Sequence, residues 1–177
     1  MHQSQPPFIL GSHDLRIEDV LQVMRKRSFV TVGPDVAARL DKARLVVDRY
    51  IKSGQPAYGL TTALGANVGK PIAPSELRDY QTRAIVARSV GMGEAASEEL
   101  VRGLLFSRLA SLSVGKSGIS SGVFHALLAL LNSGICPVVP RIGSIGVADL
   151  PAMSHAMLVL LGQGRARVDG QEMAGDE

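Results

Sequence analysis

The sequence predicts a mainly α domain with long structured loops. Apolar residues recur every three or four positions in several separate segments. Gly and Pro cluster between those segments and punctuate them. There is no alternating strand set of the kind a βαβ fold needs, and no internal repeat. With aromatic residues at 4% and no Trp, the core must be built from Leu, Val, Ala and Ile.

Taken in order, residues 1 to about 12 read as an extended arm. Leu15 to Leu21 begin a short helix that Asp14 or a neighbour can cap. Val30 to Gly33 is too short to be more than a strand-like link. Pro34-Asp35 opens a longer helix with Val36, Leu40, Ala43, Val47 and Tyr50 on one face, ended by Gly54 and Pro56. The stretch holding Gly59, Gly65 and Gly69 is a loop with tight backbone passages. Ser75 and Glu76 start a helix through Leu77, Tyr80, Ala84, Ala87 and Val90. Ser97 caps the next helix, which carries Val101, Leu104, Leu105, Leu109 and Leu112. Ser120 or Ser121 starts one more, through Leu131. Its apolar residues cover much of the circumference, so packing on several sides is expected, part of it against another chain. Pro137 and Pro140 keep the following strand-poor link extended. A final helix begins near Asp149 or Leu150, with Pro151 early in it, and ends by Gly162.

The 177 residues suffice for one domain with a real core, spanning 1–177. Hydrophobic content of 46% with 20% charged residues is globular, not disordered. Net charge is +3, and Arg25-Lys26-Arg27 is a short basic run without interleaved aromatics. It reads as a solvated helix end, not a nucleic-acid surface. The single Cys136 excludes an intrachain disulfide and suits a cytoplasmic setting, as a buried structural thiol. The N-terminal residues lack the pattern of a secretion signal, and no apolar run is long enough to span a membrane. The four histidines show no metal-ligand spacing. Gly115-Lys116-Ser117 lacks the glycine-rich frame of a phosphate loop.

Two segments carry a more specific signal. The first is Ala57-Tyr58-Gly59-Leu60-Thr61-Thr62-Ala63-Leu64-Gly65, and the second is Gly143-Ser144-Ile145-Gly146-Val147-Ala148-Asp149-Leu150. The first resembles Val-Tyr-Gly-Ile-Asn-Thr-Gly-Phe-Gly, and the second Gly-Ser-Val-Gly-Ala-Ser-Gly-Asp-Leu, of the histidine and phenylalanine ammonia-lyase family. Gln81, Gly91-Met92-Gly93-Glu94, Arg102, Leu109 through Ile119, Leu127 through Asn132, Pro137, Pro140, His155 and Leu161 through Gly164 continue the resemblance in order. It implies the N-terminal domain of that fold, with the family's C-terminal helical bundle absent from these residues. In the family, Ala-Ser-Gly cyclises into methylidene-imidazolone, an electrophile. Here Val147-Ala148 occupies that space, one residue short. The serine that would lose water and the glycine whose nitrogen would close the ring are both missing, so no prosthetic group is expected. Cyclisation of Gly143-Ser144-Ile145 instead is disfavoured by the β-branched Ile145.

By the same resemblance Tyr58 is the catalytic base. A phenol titrates near pH 10, so such a base needs a site that favours phenolate; the other reading is a loop tyrosine that packs and hydrogen-bonds. Thr61, Arg88 and Ser144 are candidate substrate-binding residues. Arg88 stands where histidine-specific members carry histidine, and its rigid fork either binds an anionic group or pairs with a local acid. Gly143, Gly146, Val147, Ala148 and Asp149 form the active-site loop, although Asp149 is equally explained as a helix-start carboxylate. His155 reads as a satisfied buried histidine. Two functions follow. One is a subunit of a split lyase-like enzyme acting on a small anionic substrate, with a separate chain supplying the helical bundle. The other is a non-catalytic scaffold or regulator derived from the lyase framework.

Overall fold

The computed structural model describes residues 6–146 and 150–177, with the backbone alone for Lys26. Strand β1 (Phe8–Leu10) leads through helix α1 (Ile17–Lys26) to β2 (Val30–Val32), which lies parallel to β1. From Phe8 to Val32 the chain is therefore a small βαβ unit, where the sequence predicts the end of an arm and a link; residues 1–5 of the expected arm lie outside the described residues. Each strand is three residues long, too short for its alternation to register in the sequence. Phe8, Leu10 and Val30 are nonetheless buried. On β2, Asn132 acts as a surrogate strand. Its Nδ2 donates to the Val30 carbonyl at 2.8 Å and its Oδ1 accepts from the Val30 N–H at 3.0 Å.

Asp14 does not cap α1. Asp19, inside the first turn, accepts from the Arg16 N–H at 2.9 Å and meets His13 Nε2 at 3.0 Å. The bond from the Arg16 backbone, foremost, holds the Asp19 carboxyl below its ordinary value against the opposing effect of burial. Helix α2 (Pro34–Ser53) starts at Pro34 and stops at Gly54, as the sequence predicts. Helix α3 (Leu77–Arg88) follows a short 3-10 turn at Pro74–Glu76 and stops before Gly91. No α3 residue is fully buried.

Strand β3 (Met92–Ala95) precedes α4 (Glu98–Ser113) and α5 (Ser121–Ser133). Ser97 and Ser120 cap these helices, accepting from the N–H groups of Leu100 and Val123. The core lies around α4: Phe106, Leu109, Phe124 and Leu127 are closed off, and Phe8 meets Phe106 edge-on at 5.2 Å. Helix α5 packs on one broad face, not on several; Phe124, Leu127, Leu130 and Leu131 are buried while Val123, Ala126 and Ala129 face out.

Arg102 joins three elements without a carboxylate. Its guanidinium donates to Leu131 O at 2.7 Å, Val23 O at 3.3 Å and Ser28 O at 3.5 Å. Two of these carbonyls belong to last turns of helices, where a cation offsets the dipole. The basic run at Arg25–Arg27 is not simply solvated: Arg25 pairs with Glu99 at 3.0 Å and Arg27 with Glu98, at the start of α4.

The link after α5 contains strands. These are β4 (Cys136–Pro137) and β5 (Pro140–Ile142), the latter pairing antiparallel with β3. Helix α6 (Pro151–Leu158) ends in a 3-10 turn at Val159–Leu161, and β6 (Arg165–Val168) and β7 (Gln171–Ala174) complete a three-stranded sheet with β4. Asp169 and Gly170, both at positive φ, make the two-residue hairpin turn. The helical part of the expectation stands, but among the described residues seven short strands make the domain mixed α/β. Among those residues no helix is long and apolar enough to cross a membrane.

Candidate functional site

Tyr58 sits in a loop organised around one carbonyl. Ala57 O accepts from the N–H groups of Leu60, Thr61 and Thr62 at 2.9–3.1 Å and from the Thr62 hydroxyl at 3.3 Å. The Thr61 hydroxyl donates to Gln55 O at 2.7 Å and accepts from the Ala57 N–H at 2.8 Å, and Thr61 is buried. Its proton is thus committed to the loop. The Gly59 N–H closes the turn on Thr62 O at 2.9 Å. Gly59 has φ +71°, and an added Cβ would lie 2.8 Å from Leu64 Cδ2.

Helix α3 braces this loop from outside. The Tyr80 hydroxyl accepts from the Leu64 N–H at 2.8 Å, and Gln81 Nε2 donates to Gly59 O at 3.0 Å. Gln81 enters the sequence reading only through resemblance, and Tyr80 only as an apolar position; their bracing role depends on three-dimensional contact. Tyr58 itself is 63% exposed. Its hydroxyl oxygen accepts from the Gly65 N–H at 3.0 Å, so a backbone donor is aimed at the atom that would take a proton.

The second segment lies beyond the other end of α3. Gly91 follows that helix, and its N–H donates to His155 Nε2 at 3.0 Å. That bond requires an unprotonated Nε2, and burial lowers the affinity of His155 for a proton. Gly143 packs beside them; a Cβ there would lie 3.0 Å from Pro151 Cβ and 3.4 Å from the Gly91 Cα. Past Gly143 the chain turns outward. Ser144 is exposed and its Oγ accepts from the Gly146 N–H at 3.2 Å, while Ile145 is 81% exposed. Val147, Ala148 and Asp149 lie outside the described residues, so the expectations for them have no geometry here. Helix α6 begins at Pro151, with Leu150 at its cap position.

Arg88 is half-buried and donates to Ala84 O of its own helix at 2.9 Å. Among the described residues it has no carboxylate partner, and Asp149 lies outside them. The seven steps from Gln81 to Arg88 rise on the order of 10 Å along α3. The helix thus serves as a strut, with the Tyr58 segment at one end and the Gly91–Gly143–His155 cluster at the other. A cavity of about 310 Å3 beside His155 is lined by Gly91, Pro140 and Arg165, and includes neither Tyr58 nor Ser144. Cys136 is buried, and burial pushes its thiol up, which suits a structural residue. Among the described residues no cluster of His, Cys, Asp or Glu could hold a metal.

The aromatic amino acid lyase family profile matches residues 15–177. The chain belongs to the aromatic amino acid lyase family. It is 33% identical to histidine ammonia-lyase from Alkaliphilus metalliredigens over 169 residues, covering 95% of this chain and 33% of that protein. Identity to histidine ammonia-lyase from Symbiobacterium thermophilum is 36% over 169 residues, with the same coverage of each. Among solved structures, the ergothionase from Treponema denticola superposes with a TM-score of 0.93 at 29% identity, covering 96% of this chain and 34% of that one. The Pantoea agglomerans phenylalanine aminomutase gives 0.91 at 29% identity, covering 96% and 33%. The chain therefore spans about a third of the length of the curated relatives it matches. The residues between Gly146 and Asp149 do not fit a methylidene-imidazolone precursor. They offer no hydroxyl, and two residues stand where cyclisation uses three.

Proposed function

We propose that this chain contributes the Tyr58 and Gly143 segments to a lyase-like active site that works without methylidene-imidazolone and that a second polypeptide completes. The observation that carries the reading is the unequal fate of the two segments. Tyr58 stands in a loop braced by hydrogen bonds, while the three residues that would form the electrophile are not there. Apolar side chains around the second segment support a further partner. Val90, Met92, Ile142 and Ile145 are each more than 60% exposed, which is costly for a surface left open.

In this reading the Tyr58 oxygen accepts a proton from carbon on a small substrate, and the Gly65 N–H steadies that oxygen. Among the described residues only one Arg88 donor is engaged, by Ala84 O, and the others serve an anionic group. Thr61 meets substrate only as an acceptor or wall, because its proton is given to Gln55. Ser144 serves as a binding residue at the rim. Proton abstraction followed by elimination or cyclisation fits this set, since neither step needs an electrophilic ring. The setting is cytoplasmic, and the partner carries the family's helical bundle.

The alternative is a scaffold or regulator, motivated by the same loss at Val147-Ala148. Purification from the native source tests the assembly: co-purification with a bundle-bearing chain is expected, and a stable, well-ordered monomer contradicts it. Tyr58→Phe in the assembled complex then separates the two readings. Loss of turnover with binding retained identifies an enzyme. An unchanged turnover removes Tyr58 from catalysis, and assembly without any turnover favours the scaffold.

A further inference from the structure

Three helices bring three arginines to one cleft. Arg44 of α2, Arg78 of α3 and Arg108 of α4 line a space of about 570 Å3 whose apolar lining includes Leu60, Leu112 and Ile119. Among the described residues no Asp or Glu lines it. Arg44 is held by Asp48 of its own helix at 2.9 Å. Among the described residues, the guanidinium groups of Arg78 and Arg108 have no ion pair or hydrogen bond. They are exposed, so their donors remain available. A guanidinium fork favours planar or tetrahedral oxyanions. The volume is in the range of small-ligand sites, roughly 300–1,000 Å3. Cations around an apolar lining select a molecule with both an anionic head and an apolar body.

We infer that this cleft binds a small organic anion, with a carboxylate or phosphate head held by Arg78 and Arg108 and an apolar body against Leu112 and Ile119. The inference does not require Tyr58 to act as a base. It does give the occupant a route to the Tyr58 loop. Leu60 belongs to that loop and lines the cleft, and Gln81, also in the lining, donates to Gly59 O. An anion drawing Gln81 toward itself would loosen one brace of the Tyr58 segment.

The test is calorimetric titration of the purified protein, with any polypeptide that copurifies, using benzoate, phenyl phosphate and inorganic phosphate in turn. Saturable binding of benzoate or phenyl phosphate is expected, tighter than that of an anion of the same head without the ring. Both arginines are exposed and solvent screens each contact, so Arg78→Gln and Arg108→Gln should each weaken binding about two- to five-fold. Arg83→Gln, on the same helix but outside the cleft, should leave it unchanged. Arg78 is exposed, so its variant carries the test even if Arg108→Gln perturbs folding. The inference is overturned by absence of saturable binding, by retained affinity in Arg78→Gln, or by equal loss in Arg83→Gln. Binding of a polyglutamate peptide but of neither aromatic anion would also overturn it, marking an acidic-protein surface instead.

Discussion

The Tyr58 and Gly143 segments sit beyond opposite ends of one helix and are held in opposite ways. The Tyr58 segment is a hydrogen-bonded knot: one carbonyl takes four donors, and Tyr80 and Gln81 clamp the loop to α3. The Gly143 segment is anchored by close packing on Gly91 and Pro151, and then leaves the body of the domain with Ile145 outward. A knot of this kind tolerates few replacements, because each lost partner leaves a polar group unsatisfied. A tip held by packing at its base can change length and chemistry at little cost to the fold. Among the described residues, the first segment is thus fixed by polar bonds and the second by packing at Gly143.

The largest effect is expected at Tyr58 itself. If it moves a proton, Tyr58→Phe lowers kcat by about 10²–10⁴ in the assembled complex while the thermal midpoint barely moves. A turnover within two-fold of the parent would break the functional half of the comparison.

The glycines of the two segments sharpen the structural half. Gly59→Ala meets both a left-handed φ and Leu64, so a loss of about 1–3 kcal/mol in denaturant unfolding is expected. Gly146→Ala has a similar φ of +78° but open space around it, and should cost only about 1 kcal/mol. Equal losses would show that the first loop is no more constrained than the second. A smaller contrast separates their hydroxyls. Tyr80→Phe removes the acceptor for the Leu64 N–H and should cost about 1 kcal/mol, whereas exposed Ser144→Ala should cost less than about 0.5 kcal/mol.

His155 offers a pH readout of the packed base beneath the second segment. Its folded form resists protonation, so the unfolded chain binds the proton more readily. The stability due to neutral His155 is therefore full above the unfolded value, near pH 6.5, and falls as pH drops below it. Protonation also removes the acceptor for the Gly91 N–H. Thermal midpoints taken from pH 7.5 to pH 5.5 should fall more for the parent than for His155→Gln. Parallel curves would remove His155 from that dependence.

The sequence made the helices legible because their signals are local. Ser97 and Ser120 stand directly before α4 and α5, and Gly54 directly after α2. The strands were less visible for a physical reason. They are two to four residues long, and several partners are far apart in the chain, as with Cys136 opposite Arg167. Asp169-Gly170 is a local hairpin signal, but the strands that flank it are only four residues each. Resemblance singled out Tyr58 and Gly143 as candidates, but Tyr80 as a brace and the Gly91–His155 bond depend on contacts that no local pattern encodes. The bond of Arg88 to Ala84 O within its own helix is likewise a contact that no local pattern encodes.

The central claim is that the replaced segment stays an ordinary peptide, and mass spectrometry tests it most directly. Peptide mapping across Gly143 to Asp149, together with the intact mass, should give the unmodified polypeptide, because Val147-Ala148 supplies neither the hydroxyl nor the third residue that cyclisation uses. A deficit equal to two water molecules, located within that peptide, would contradict the account and return the chain to conventional ammonia-lyase chemistry.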